Sequence, residues 1–391
     1  MTAVRAAPSP LREVALYFLR LGAIAFGGPA AHIAIMRREL VQQRGWISDQ
    51  EFVDMLGAAN LIPGPNSTEL TMHIGSQRAG WWGLWVAGGA FLLPAVAIVL
   101  AFAWAYVEFG DTPTAEGLLL GAQPAVLAII LQATWGLRRA AVKSWSTALG
   151  AALAVALAIA GVSEVFVILG IGVLVVLLET GVRGGVRLRG AGRRVLGFVP
   201  LPLVPGLPAP FAASPPGYSL LELFLIFLKI GAVLYGSGYV LVSFMQTELV
   251  TNRGWLTEQQ LLDAVAVGQF TPGPLFSTAT FAGYVIGGLP GAIAATAGIF
   301  LPSFVLVAAT HPLIPRMRNS RLAAPFLDGV NAAAIALMAV VTFDLAQETL
   351  DAWFPAALFV AGAVVLLRFN PNTAWIVLGG AAAGLAYQAL T

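Results

Sequence analysis

Two copies of one tripeptide constrain how this chain can fold. A Pro-Gly-Pro at residues 63–65 recurs at residues 272–274, and each copy stands inside a mostly apolar stretch that would otherwise continue as a helix. Proline removes a backbone donor and its ring clashes with the preceding turn, while glycine lowers the helix propensity further. Both stretches are therefore expected to break at the tripeptide, which leaves two helical arms at each break.

The apolar stretches around the tripeptides are typical of a membrane protein. The 391 residues are 58% hydrophobic and only 10% charged, whereas about a quarter of the residues of a soluble protein are charged. Runs such as Trp81–Val107 and Leu220–Leu241 reach the roughly 20 residues that a helix needs to cross a bilayer. The sequence predicts a multi-pass protein whose surroundings are the lipid bilayer.

Composition and motifs exclude several classes of function. The chain has no cysteine and only three histidines, which argues against disulfides and thiolate metal sites. It lacks the phosphate-binding loop of ATPases and the nucleophile elbow of hydrolases, and its net charge of +2 is too small for nucleic acid. Its first apolar run is interrupted by polar residues, whereas the apolar region of a signal peptide is continuous. We expect no enzyme activity, cofactor, metal or nucleic-acid partner.

The chain is an internal repeat. Pairing residues 12–65 with the residues 209 positions later gives 19 identities in 54 pairs without a gap, and Glu-Leu-Val-x-x-Arg-Gly-Trp is identical in both copies. The match continues at an offset of 208, for example from Gly83 to Gly291. The repeat predicts an N-terminal membrane domain at 1–182, a linker at 183–217 and a C-terminal membrane domain at 218–391.

Charges outside the apolar runs predict how the two repeats are oriented. The linker carries five arginines and seven prolines, so we expect an extended connector in the cytoplasm. Basic Arg138, Arg139 and Lys143 correspond to acidic residues of the second repeat, which are Asp344, Glu348 and Asp351. This change of sign predicts an all-α polytopic membrane protein with two inverted-topology repeats, each with about five transmembrane helices and one re-entrant Pro-Gly-Pro helical hairpin.

The second arm of each hairpin offers a site for an anion. Its first backbone N–H groups have no partner within the helix, and the helix dipole places partial positive charge there. The alternative is that the tripeptide only kinks a packed helix. The candidate substrate-binding residues of these two segments are Pro63, Gly64, Pro65, Asn66, Ser67 and Thr68, and Pro272, Gly273, Pro274, Ser277 and Thr278.

Two basic residues are further candidates for the anion site. Arg20 and Lys229 are repeat equivalents inside the first span of each half. A basic side chain in the bilayer centre costs about 2.5–3.5 kcal/mol on insertion scales. A bound dianion would offset this cost, and so would a carboxylate partner, for which the candidates are Asp54, Asp263 and Glu69. Snorkelling to the interface or an internal salt bridge is the alternative.

Paired amides and glycines complete the predicted substrate site. Asn60 and Gln269 are equivalent amides, as are Gln123 and Asn331, and they are interpreted as donors to substrate or as cross-links between helices. Gly27 and Gly28 permit close backbone approach at the end of the first span, for a ligand or for helix packing.

One pair of residues breaks the symmetry of the repeat. Glu69 and His73 stand four residues apart after the first tripeptide, and the equivalent segment of the second half has no histidine. A histidine can titrate near neutral pH. Glu69 and His73, with Asp54 and Asp263, are therefore candidates for proton coupling. A polar helix face in contact with solvent is the alternative.

Four motifs together resemble the chromate ion transporter (CHR) family in its long-chain, two-domain form. They are Phe26-Gly-Gly-Pro29, Arg-Gly-Trp, Leu-Ile-Pro-Gly-Pro at 61–65 and Phe-Thr-Pro-Gly-Pro at 270–274. The resemblance implies a chromate exporter of the bacterial inner membrane that gives chromate resistance, with sulfate as a related or competing substrate. Single-domain members of the family work as oppositely oriented pairs. For this chain a homodimer is one alternative. The second half departs from the first by having Gly236-Ser-Gly in place of Gly27-Gly-Pro.

The residues and the resemblance together predict a secondary transporter that exports chromate, a tetrahedral oxyanion, by alternating access. One alternative is a transporter of sulfate or another oxyanion that accepts chromate by mimicry. Another is an anion channel lined by the two half-helices.

Overall fold

The computed structural model describes residues 9–25, 28–110, 112–182, 219–235, 238, 240–311, 322–369 and 371–390. The first half contains α1 (Pro10–Ile24), α2 (Gly28–Met36), α3 (Asp49–Ala59), α4 (Asn66–Phe109), α5 (Pro113–Ala141), α6 (Trp145–Ile159) and α7 (Glu164–Val182). The second half contains α8 (Leu220–Val233), α9 (Val240–Met245), α10 (Glu258–Phe270), α11 (Thr278–Thr310), α12 (Ala323–Thr349), α13 (Trp353–Phe369) and α14 (Thr373–Leu390). The predicted linker at 183–217 and Gly27 lie outside the described residues.

Length and hydropathy identify the helices that can cross a bilayer. Among the described residues, five segments are long and apolar enough, namely 66–109, 113–139, 275–310, 324–349 and 373–390. Shorter apolar helices accompany them at 145–159, 240–251 and 353–369. The predicted all-α polytopic membrane class is confirmed, while the number of crossings in each half stays a prediction.

The shared Glu-Leu-Val-x-x-Arg-Gly-Trp segment has the same local structure in both halves. α2 passes into a π-helical turn at Arg37–Gln43, and α9 passes into one at Gln246–Thr251. A left-handed glycine follows in each case, with φ of 59° at Gly45 and 61° at Gly254. The next helix then starts with a capping box, in which a side-chain oxygen binds the backbone N–H three residues on.

Both apolar stretches break at the tripeptide and fold into helical hairpins. In the first hairpin, Asn66 donates to the Asn60 side chain at 2.6 Å beside the closed end. Gln77 donates to Glu51 at 3.3 Å toward the open end. The two arms therefore run antiparallel. In the second half, α10 meets the start of α11 in the same way across residues 272–274.

A second reversal follows each hairpin. α4 is interrupted at Gly80 (φ 66°, ψ −157°) and α11 at Gly288 (φ 60°, ψ −153°). We call the arms α4a (66–78) and α4b (81–109), and α11a (278–286) and α11b (289–310). Gly75 lies against the backbone of Gly83, eight residues later, so α4b folds back along α4a. A Cβ at either glycine would overlap the facing carbonyl group.

The two halves interlock through these arms. α4a runs parallel to α11b, because Gly64 adjoins Ser303 and, further along both helices, His73 adjoins His311. α11a runs parallel to α4b in the same way, with Gly273 beside Ala95. Since α4b folds back on α4a, the equivalent arms α4a and α11a run in opposite directions.

The last helix of each half also packs on the other half. α14 lies along α5, and its equivalent α7 lies along α12. Lys143, just after α5, binds Asp328 near the start of α12 at 2.6 Å. The equivalent helices α5 and α12 therefore meet end to start, and one extended apolar core is continuous across both halves.

Candidate functional site

Each hairpin tip is held by the first helix of the opposite half. The Gly64 N–H donates to the Leu234 carbonyl at 2.8 Å, and the Gly273 N–H donates to the Ala25 carbonyl at 3.1 Å. The two acceptors directly follow α8 and α1. Gly64 and Gly273 have φ of 137° and 103°, which only glycine adopts readily. Both tripeptides are buried, so the two tips lie inside the molecule.

The first turn after each tip contains a buried hydroxyl without a partner. Thr68 is fully buried and Thr278 is 1% exposed, and neither Oγ1 atom makes a hydrogen bond. The serines beside them are engaged, because Ser67 Oγ pairs with His32 Nδ1 at 3.2 Å and Ser277 Oγ donates to the Pro274 carbonyl at 2.9 Å. Buried polar groups normally have partners. These two hydroxyls, at two helix starts, can therefore bind the oxygens of an anion.

A buried carboxylate lies beside the first tip. Glu69 is fully buried, and neither carboxylate oxygen has a well-formed hydrogen bond. Glu69 Oε1 and Ser303 Oγ both adjoin Gly64, and the Ser303 hydroxyl is likewise unpartnered. Among the described residues no lysine or arginine forms an ion pair with Glu69. This carboxyl group and this hydroxyl face each other at the tip of the first hairpin.

Two histidines from opposite halves meet one turn beyond Glu69. His73 Nδ1 lies 3.1 Å from His311 Nδ1, and the two rings stack with centroids 5.4 Å apart. His73 is fully buried, and its Nε2 atom has no partner. Sequence reasoning missed His311, which is 238 residues from His73 and has no histidine at its repeat equivalent, Ala103. The described residues contain no cluster of three or more metal-ligating side chains.

Arg20 and Lys229 each lie beside a glutamate of their own half. Arg20 Nη1 lies 3.9 Å from Glu39, and Lys229 forms an ion pair with Glu248. An internal salt bridge, one of the alternatives that the sequence left open, is thus present in each half, because the π-helical turn places its glutamate beside the first helix of the same half. Asp54, Asp263 and Glu69, the other candidate partners, are not in these pairs. The two basic side chains are 59% and 44% exposed.

Arg20 and Lys229 nevertheless stand close to the hairpin tips along the chain. Ala25, which accepts the Gly273 N–H, follows Arg20 by five residues, or about 7.5 Å of helix rise. The same spacing separates Lys229 from Leu234. Each cation is therefore placed about one and a half turns before the residue that holds the opposite tip.

The remaining candidates have mixed surroundings, and Asn60 lies beside the first tip. Asp263 is buried and accepts from Tyr106 Oη and Gln123 Nε2, each at 3.0 Å, so Gln123 cross-links α5 to α10. Asp54 is half-buried and accepts from Gln50 at 2.9 Å. Four others were also expected at the site: Asn60 is exposed beside Asn66, Gln269 and Asn331 are half-buried, and Gly28 begins α2.

The surroundings of Arg20 in the first half differ from those of Lys229 in the second half. In the second half, Arg253 binds Glu222 at 3.0 Å and Glu248 at 2.6 Å. In the first half, the equivalent Arg44 lies over the Tyr17 and Trp46 rings at 5.0 and 5.6 Å. A cleft of about 340 Å³ opens there and is lined by Glu13, Leu16, Tyr17, Arg20 and Arg44.

Comparison with known proteins identifies the family. The family model described as "Chromate transporter" matches residues 12–176 and matches again at residues 221–385. The chain belongs to the chromate transporter family. This is a family of transporters and not of enzymes, so the expected family and the exclusion of enzyme function are both confirmed.

Several relatives that align with most of the chain are named as chromate transport proteins. The "Chromate transport protein" of Cupriavidus metallidurans is 34% identical and is aligned over 97% of this chain and 94% of its own length. The "Chromate transport protein" of Pseudomonas aeruginosa is 34% identical over 97% of this chain and 93% of its own. The "Probable chromate transport protein" of Synechococcus elongatus is 35% identical over 87% and 86%. No solved structure matches the chain.

Proposed function

We propose that this protein is a secondary transporter that exports chromate across the bacterial inner membrane and thereby gives chromate resistance. Membership of the chromate transporter family supports this, as do the names of two relatives that span nearly the whole chain. The buried, unpartnered groups at the hairpin tips supply a place where an oxyanion can bind.

In this proposal the two halves lie upside down in the membrane and the Pro-Gly-Pro hairpins are re-entrant. The opposite directions of α4a and α11a support the inversion. α3 has 11 residues and therefore spans about 16 Å, or half of a ~30 Å bilayer core. A hairpin with arms of this length brings its tip to mid-membrane. The arginine-rich linker at 183–217 is placed in the cytoplasm.

The observation that carries the binding site is the pair of unpartnered threonine hydroxyls. Thr68 and Thr278 each lie in the first turn of a helix whose N-terminus carries partial positive charge. We assign the hydroxyls and the neighbouring backbone N–H groups to the anion oxygens. A small anion bound there would satisfy donors that the folded chain leaves unpaired.

Arg20 and Lys229 act in the proposal as the cations that neutralise the dianion on its way to the tips. Both basic side chains remain exposed beside their present partners Glu39 and Glu248, so each can contact an arriving anion. An inside-negative potential drives a dianion outward by about 4.6 kcal/mol per 100 mV, twice the value for one charge. Export therefore needs no ATP.

Chromate flux in proteoliposomes tests the binding site. Thr68→Val and Thr278→Val preserve shape and remove the hydroxyl, so we expect each to weaken the apparent affinity for chromate about tenfold or more. This corresponds to the loss of one hydrogen bond to a charged group, about 1.5–3 kcal/mol. Thr71→Val is the matched control, because the Thr71 hydroxyl already binds the Ser67 carbonyl at 2.8 Å.

Unchanged affinity in both threonine variants would remove the tips as the binding site. Arg20→Gln and Lys229→Gln test the cations in the same assay, and full transport by both would remove them from the pathway. Competition by sulfate compares the two oxyanions as substrates. Faster uptake of labelled chromate into vesicles preloaded with chromate would establish a carrier, since an open channel gives no such counterflow.

A further inference from the structure

A strip of polar side chains runs along the interface between α4a and α11b. It consists of Glu69 and His73 on the first helix and Ser303 and His311 on the second. We infer that this strip is a proton pathway that reaches the first hairpin tip, so that anion movement is coupled to proton movement. The inference rests on the proposed function, since it assigns the coupling ion and the residues that carry it.

Helix geometry aligns the four side chains along one interface. Glu69 and His73 are four residues apart, so their Cβ atoms lie about 6 Å apart on one face of α4a. Ser303 and His311 are eight residues apart on one face of α11b, and buried Val307 lies between them on that face. Because the two helices run parallel, Glu69 faces Ser303 at the tip, and His73 faces His311 where α11b ends.

The surroundings of Glu69 leave it to bind a proton. A carboxylate that is buried without a cation, and that faces only one hydroxyl, is too costly to stay charged, so it takes up a proton instead. Of the titratable groups on the elements around α4a, Tyr235 is an uncharged phenol buried beside the tip, after α8. The others, apart from His311, are already engaged or lie at the far end of α4a. They are His32 on α2, bound to Ser67 and the Ala25 carbonyl, Asp54 and Glu51 on α3, and Arg78 at the end of α4a, bound to Glu13.

The histidine pair can carry that proton onward. An imidazole accepts a proton at one ring nitrogen and releases another from the opposite nitrogen. His73 Nε2 has no partner and can accept the proton of the Glu69 carboxyl. His73 Nδ1–H then passes its own proton to His311 Nδ1, 3.1 Å away. His311, half-buried at the end of α11b, releases a proton from Nε2. Reversal of these steps returns a proton to the Glu69 carboxylate.

The second half has no titratable residue where the first half has this strip. At the repeat offset of 208, Ser303 corresponds to Ala95, His73 to Phe281, and His311 to Ala103. Phe281 and Ala103 belong to one buried apolar cluster. The same helix contact is therefore built once with titratable groups and once without. Proton coupling from one side only would follow from this asymmetry.

Two variants test the pathway in vesicles that report chromate and internal pH together. The double variant His73→Phe/His311→Ala copies the packing that the second half already uses, and Glu69→Gln preserves the shape of Glu69. We expect both to reduce protons moved per chromate at least tenfold, and to flatten the pH dependence of chromate flux. Thr296→Val is the control, because it removes a half-buried hydroxyl bonded to Thr280 and should retain wild-type coupling.

The outcomes separate this inference from the proposed function. Chromate flux without proton movement in the wild type, or unchanged coupling in both variants, overturns the proton pathway and leaves the transporter. A wild type that moves no chromate overturns the proposed function instead. In that case the infrared C=O band of a protonated carboxyl still decides the proton site, since the wild type should show it and Glu69→Gln should lose it. A spectrum unchanged by Glu69→Gln overturns the assignment.

Discussion

At the scale of single residues, equivalent arginines have different surroundings in the two halves. Arg253 binds two glutamates that are each 6% exposed, Glu222 and Glu248, and Glu248 also binds Lys229. Arg44 is exposed and lies over two aromatic rings. The second cluster is a closed ionic network, whereas the first leaves its basic groups beside an open cleft. In the proposed transporter, the first copy would therefore admit the anion and the second would stabilise the protein.

Arg253→Gln should destabilise the protein far more than Arg44→Gln. The first change leaves two buried carboxylates without their shared cation, which costs about 3 kcal/mol or more. The second loses two cation–π contacts of an exposed guanidinium, at about 0.5–1 kcal/mol each. Thermal unfolding of the two variants in the same detergent measures the difference. Equal shifts in the unfolding temperature would show that the second network contributes no more than the ring contacts.

The sequence predicted some residues of the candidate site but not their neighbours. Glu69 and His73 stood out because a charged and a titratable group adjoin the break in an apolar stretch. Ser303 and His311 did not, because each is a lone polar residue more than 200 positions away with an alanine as its repeat equivalent. Only the parallel packing of α4a on α11b brings the four together. The contact between Arg20 and Glu39 likewise depends on the π-helical turn, which no residue pattern predicted.

At the scale of elements, a tripeptide and a single glycine divide each apolar stretch into three arms. The tripeptide forms the first reversal, and Gly80 or Gly288 forms the second with φ near 60° and ψ near −155°. Only glycine populates that region readily. The glycines at 75 and 83 let the backbones meet behind the second reversal, as do those at 283 and 291.

Gly80→Ala and Gly288→Ala should each destabilise the protein by about 1–3 kcal/mol, because alanine is strained in this backbone conformation. Gly89→Ala is the matched control. It lies within α4b with open space around it, so alanine should be neutral or stabilising by up to about 1 kcal/mol through helix propensity. Thermal unfolding measures all three. A loss at Gly89 as large as at Gly80 would show that the second reversal is not the cause.

At the scale of the whole molecule, the repeat in the sequence does not correspond to two separate bodies. Each hairpin tip binds the opposite half, α14 packs along α5, and α7 packs along α12. The sequence predicted the all-helical membrane class, because composition and run length decide it. It did not predict the contacts between the halves. A repeat shows that two segments are alike but does not show which helices of one half pack on the other. Contacts between the halves depend on side-chain packing at positions where the two copies have different residues.

The interlocked packing predicts that neither half is stable alone and that the two reassemble without the linker. A chain opened within residues 183–217 loses no contact among the described residues, so two co-expressed fragments should purify together through a tag on one of them. Each fragment expressed alone would expose the faces of α5 or α12 that α14 and α7 cover, together with a hairpin tip that lacks its carbonyl acceptor. We expect single fragments to be degraded or to aggregate, and the pair to unfold in one transition near that of the intact chain. A first-half fragment that purifies alone as a folded monomer, with the same helical signal as in the pair, would show that the contacts between halves are dispensable.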